Sequence, residues 1–149
     1  MKNLFEASSV DEVIGRLETL TPESKAQWGK MNVAQALAHC IAPMEMAVGD
    51  QRPKRLFIGR LLGPIFKSKW LNEQPLQKNA PTDPTFVRSG EHELDIERER
   101  LEGLIRRFHA GGAEACTTTP HSFFGPLTPD EWARLQYKHL DHHLQQFGA

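Results

Sequence analysis

Cysteine is scarce in this chain, two residues in 149, so a disulfide-stapled scaffold is excluded and Cys40 and Cys116 are expected to be reduced thiols. An excess of charge is missing as well: 18 Lys+Arg stand against 19 Asp+Glu, which removes the electrostatic basis for nucleic-acid binding. No window approaches the roughly 18 apolar residues of a membrane span. The opening run MKNLFEASSVDEV is polar and holds no apolar stretch of signal-peptide length, so a cytoplasmic location without a membrane partner is expected. Internal repeats, low-complexity tracts, a Gly-x-Ser-x-Gly elbow, a phosphate-cradling glycine loop and a Cys-x-x-Cys pair are all lacking. The hydrophobic share, 39%, argues against wholesale disorder, and the length suits a single domain over residues 1–149.

Four stretches carry apolar residues at helical spacing, and few carry the alternation of strands. The first follows Ser9 and Glu12, spaced as a capping box, through Val13, Ile14, Leu17 and Leu20. The second opens at Asn32 with Gln35 three residues on and runs through Leu37, Ile41 and Met44 to Gly49, with a kink expected at Pro43. The third spans about residues 91–110 and stops at Gly111-Gly112, its acids early and Arg106 and Arg107 late. The fourth starts at Thr128-Pro129-Asp130-Glu131 and carries Ala133, Tyr137, Leu140, Leu144 and Phe147. Short links join the first to the second and the third to the fourth, whereas a long crossover separates the second from the third. The expected fold is therefore an all-α four-helix bundle, up-down-down-up.

Three of the seven histidines fall within Tyr137-Lys138-His139-Leu140-Asp141-His142-His143. His139 and His143 lie one helical turn apart on one face, about 6 Å along the axis, so their imidazoles can converge on one ion. They belong to a second stripe with Trp132, Gln136 and Gln146, beside the apolar one. That stripe is either a ligand pair at the core edge or the lining of a polar groove. His39 sits about 9 Å into the second helix, and an antiparallel pairing with the fourth brings it level with the pair. Taken alone, it reads equally as a buried structural histidine.

Two segments resemble the DinB-like (YfiT-like) superfamily of bacterial metalloenzymes, within a branch catalogued as a domain of unknown function. One is Gln27-Trp28-Gly29-Lys30-Met31-Asn32-Val33-Ala34-Gln35 leading to Ala38-His39-Cys40. The other is His121-Ser122-Phe123-Phe124-Gly125-Pro126-Leu127, continuing through Trp132 to His139-Leu140-Asp141-His142-His143-Leu144-Gln145-Gln146-Phe147. The resemblance implies an up-down-down-up bundle with a divalent metal held by His39, His139 and His143, with Gln146 following. It also implies metal-dependent hydrolysis or transfer to and from a low-molecular-weight thiol, with pairing of copies through bundle faces as a further expectation.

Three neutral imidazoles with open positions suit Zn²⁺, Ni²⁺ or Fe²⁺, and the ion can then acidify water or polarise a carbonyl or thiol of a small-molecule substrate. Gln35, Gln136 and Gln146 sit a turn from these histidines, as supports for the rings or as ordinary exposed glutamines. No acid shares the His139/His143 face, and Glu45, on the second helix, reads more simply as an exposed residue. His121 is either a fourth ligand or part of a loop plug. His92, His109 and His142 read as surface residues, and Cys40 as buried and structural. Residues 52–69 contain six basic residues and no acid, and fit an irregular crossover, a mouth-closing segment or an interfacial helix. The readings that result are a metal-dependent enzyme, or a metal- or small-ligand-binding bundle without catalysis, or a bundle that works through dimerisation.

Overall fold

Five helices follow one another in the computed structural model, which describes residues 1–80 and 86–149: α1 (Ala7–Glu18), α2 (Val33–Ala47), α3 (Phe57–Trp70), α4 (Leu94–Ala115) and α5 (Pro129–Gln146). Among the described residues there is no strand, only an isolated bridge between His121 and Gly125. The all-helical class agrees with expectation, while the count of four helices is corrected to five.

Local chemistry explains the two best-defined starts. Asn32 Oδ1 accepts from the Gln35 N–H at 2.8 Å and the Asn32 N–H donates to Gln35 Oε1 at 3.0 Å, closing a capping box on α2. Thr128 and Glu131 do the same for α5, with Pro129 at its first position. At α1 the expected Ser9–Glu12 box does not form. The buried Leu4, with Phe5 stacked 5.1 Å from Phe108, turns the chain early, so the helix begins at Ala7 and Ser9 lies inside it. Gly111-Gly112 does mark a break, with Gly112 at φ 57° and ψ −158°, but helical structure resumes beyond it to Ala115.

Pairs of contacts give the helix directions. His39 meets His139 and His143 while Pro43, further along α2, meets Gln136, so α2 and α5 are antiparallel. Glu45 pairs with Arg100 and Asp50 with Arg107, so α2 and α4 run parallel. Glu12 meets Tyr137 and Arg16 meets Asp141, which makes α1 and α5 parallel too. Val13, Leu17, Met44, Leu101, Ile105, Leu140 and Leu144 are essentially inaccessible and form the core between these four helices.

The remaining helix, α3, occupies the long connection, for which the sequence leaves an irregular crossover, a mouth-closing segment and an interfacial helix open. It packs its backbone on the loop before α5, because Gly59 and Gly63 share one face; a Cβ on Gly59 would lie 2.5 Å from the Phe123 carbonyl oxygen, and one on Gly63 would meet the same atom. The Leu56 N–H donates to the Ser122 carbonyl at 2.9 Å, and Lys138 of α5 reaches the far end, donating to the Asn72 carbonyl at 2.8 Å. The outer side is left uncovered: Phe57, Leu61 and Ile65 are 77%, 62% and 59% exposed. No helix among the described residues is long and apolar enough to cross a membrane.

Candidate metal centre

The crossing of α2 and α5 brings His39, His139 and His143 together, with one ligand atom from each lying within 4.8 Å of the others. Their ring centroids are 5.0, 4.8 and 4.8 Å apart. His39 and His139 are buried and His143 is half-buried. Backbone and amide groups orient two of the rings. His39 Nδ1–H donates to the Phe86 carbonyl at 2.8 Å, which leaves the Nε2 lone pair facing the cluster. His143 Nδ1–H donates to Gln146 Oε1 at 2.8 Å, and that amide is itself fixed by donating through Nε2 to the Trp28 carbonyl at 2.6 Å.

The Gln27-Trp28-Gly29 run thus has a structural task at this site. Gly29 adopts φ 80°, and a Cβ there would lie 2.6 Å from Gln146 Nε2, so glycine lets the backbone close on the glutamine. The Gln27 N–H also donates to the Gln146 carbonyl at 2.8 Å, tying this loop to the end of α5.

The donor set fits a divalent ion. His39 Nε2 and His139 Nε2 are 3.1 Å apart. Two nitrogens about 2.0–2.1 Å from one ion, at angles between a right angle and tetrahedral, are separated by about 2.8–3.4 Å. The His39–His139 pair already stands at that separation, and the third ligand atom lies within 4.8 Å of both. His139 Nδ1 is buried without a hydrogen-bond partner. Without an ion, His139 donates through Nε2 to His39 Nε2, since the proton of His39 is given to Phe86; an ion takes up the two Nε2 lone pairs at once, with the His139 proton then on Nδ1.

Electrostatics keeps the rings neutral, the form that ligates. Burial, then the His143 and His39 rings, pushes His139 well below the ordinary imidazole value. His143 is pushed down to about 3 by burial and then by His39, while burial also lowers His39. Burial raises the Cys40 thiol and takes Cys116 to about 11, so neither cysteine supplies a thiolate at neutral pH.

The other residues singled out in the sequence divide clearly. His121 is not part of the ligating group; its Nδ1 accepts from the Phe123 and Phe124 N–H groups at 3.1 and 3.2 Å, and its ring packs on Phe124 and Trp132. Glu45 is turned to α4, where it pairs with Arg100. Gln35 is occupied in the capping box and by donating to the Gly90 carbonyl at 3.0 Å. Gln136 donates to the Pro43 carbonyl at 3.2 Å rather than to a ring, so of the three glutamines Gln146 alone supports a histidine. His92 binds Glu97 at 2.8 Å and His109 the Leu4 carbonyl at 3.1 Å. His142, expected at the surface, stands half-buried beside Trp28, 5.5 Å between rings.

Two pockets of about 400 Å³ each flank the histidines and share Trp70 and His139 as a wall. One mixes Lys30, Asn79, His142 and Gln146 with apolar side chains such as Trp28 and Met31 and opens beside His143; the other, beside His39, lies under α3 and is largely apolar. Trp70 and the carbonyls of Trp28 and Phe86 are site components that residue spacing does not announce, because a backbone carbonyl leaves no signature in sequence.

Comparison with curated proteins and with solved structures gave no match. A family model described as a protein of unknown function, DUF1569, matches residues 2–149, and the chain therefore belongs to that family.

Proposed function

We propose that this protein is a metal-dependent enzyme, of hydrolase or thiol-dependent transferase type, that holds Zn²⁺, Ni²⁺ or Fe²⁺ on His39, His139 and His143 and acts on a small molecule. In this reading α1, α2, α4 and α5 form the up-down-down-up four-helix bundle of the DinB-like superfamily, with α3 added in the crossover; the parallel and antiparallel pairings support it.

One observation carries the proposal. Three neutral imidazoles converge, two of them with Nδ1–H anchored and Nε2 turned inward, at the wall between two pockets large enough for a small ligand. Bound there, a divalent ion supplies Lewis-acid chemistry toward a carbonyl, a water or a thiol. The chain's own residues position the rings: Phe86 holds His39, Gln146 holds His143, and Gly29 admits the loop that holds Gln146. Trp70 and α3 cover the other side of the cluster and limit water. Lys30, in the pocket beside His143, offers a positive charge to an anionic group of the substrate.

Cobalt substitution tests the open site that catalysis needs. Co²⁺ bound to the metal-free protein is expected to give d–d bands that shift on adding azide, and a thiolate-to-cobalt charge-transfer band on adding 2-mercaptoethanol. Bands that respond to neither ligand would indicate a closed, structural site and overturn the enzyme reading in favour of a metal-binding bundle.

A further inference from the structure

The pocket under α3 has a property that the metal reading does not use. In a chain with 25% charged residues, its described lining contains no Asp, Glu, Lys or Arg. Its walls are Leu62, Phe66, Phe86, Phe123, Leu135 and their neighbours, and His39 and His139 close the inner end. A group that enters away from the histidine end finds no countercharge in the described lining to replace its hydration, so this lining favours uncharged, apolar groups.

Besides Gln77 and the histidines, one polar side chain interrupts this lining. Gln136 is completely buried; its Nε2 donates to the Pro43 carbonyl, which fixes the amide, and its Oε1 is left buried with no hydrogen-bond partner. A buried carbonyl oxygen without a donor is destabilising; Gln136 is among the residues that line the pocket, and a ligand donor that reaches Oε1 through a small shift of its neighbours relieves that cost.

We infer that the pocket under α3 binds the uncharged, apolar portion of the substrate, an aromatic or branched aliphatic group bearing one N–H or O–H donor directed at Gln136 Oε1. The group bound there lies against His39 and His139, so the reacting bond of the same molecule is presented to the three-histidine centre. The inference rests on the metal-centre reading for the chemistry but not for the binding. Gln136 is thereby a specificity residue: it selects a donor-bearing ligand over an isostere that lacks the donor.

Indole and benzofuran provide the probe, being near in shape and differing in the N–H. Calorimetric titration of the wild-type protein is expected to show indole binding about tenfold more tightly. Gln136→Leu should abolish that preference, and Leu62→Trp, at a partly exposed position where folding is little disturbed, should block both compounds. Benzofuran binding the wild type as well as indole does, neither compound binding, or both binding undiminished to Leu62→Trp would each overturn the inference. If Gln136→Leu does not fold, the wild-type ratio and Leu62→Trp still decide. Metal content measured on the same samples separates the two readings: zinc bound without indole refutes the pocket assignment alone, whereas indole bound without any metal refutes the metal centre and leaves the pocket standing.

Discussion

Gln146 joins two constraints in one side chain, accepting from His143 and donating to Trp28, and its loss frees both the ring and the loop. Gln146→Ala is expected to weaken zinc affinity by about 10- to 100-fold while the helix stays folded, measured by competition with a chromogenic chelator. The neutral rings also set a pH dependence. In the unfolded chain each histidine takes up a proton near the ordinary value of 6.5, whereas folded His143 resists it down to about 3, so protons bind the unfolded state preferentially in between. Stability of the metal-free protein should therefore be full above pH 6.5 and fall as pH drops through that window. A urea midpoint at pH 5.0 equal to that at pH 7.5 would contradict the burial described here. At this scale the histidine pair was legible because four-residue spacing is a local property of a helix. The roles of Phe86 and Trp28 were not, since they act through backbone carbonyls brought up by tertiary packing.

The glycines of α3 set how this helix sits against the rest of the molecule. Gly63→Ala drives a Cβ against the Phe123 carbonyl, a backbone atom with little room to move, so α3 should lift away and trypsin should cut faster at Lys67 and Lys69. Gly103→Ala in α4 meets nothing within 4 Å, and is expected to leave cleavage unchanged and add up to about 1 kcal/mol of stability through helix propensity. Equal proteolysis of the two variants would remove the case for glycine-mediated docking. The same glycines, with Pro64, obscured α3 in the sequence, because they lower helix propensity where the 57/61/65 and 58/62/66 spacing points to a helix. Helices α2 and α5 were readable down to their caps, since both boxes are made of residues three apart. At α1 the cap expectation failed because packing of Leu4 and Phe5, a long-range effect, decided the start.

Across the whole molecule, the long connection between α2 and α4 allows these helices to run parallel and α2 to meet α5 head to tail, and only that pairing sets His39 level with His139 and His143. Connection lengths made this much of the topology legible; the cover that α3 provides and the division into a mixed and an apolar pocket depended on contacts distant in sequence. Since the site exists only in the folded chain, metal should stabilise it: zinc at a hundredfold excess over its Kd contributes about 2.7 kcal/mol, a rise in Tm of roughly 5–10 °C that EDTA reverses. An unchanged Tm would mean that no ion is linked to folding. The central claim itself is tested most directly by elemental analysis of protein purified without a metal-affinity tag, beside the His139→Ala/His143→Ala double variant. Close to one equivalent of a divalent transition metal in the wild type, absent from the folded variant, is the predicted result. A wild-type protein that arrives metal-free and takes up neither Zn²⁺ nor Ni²⁺ would contradict it.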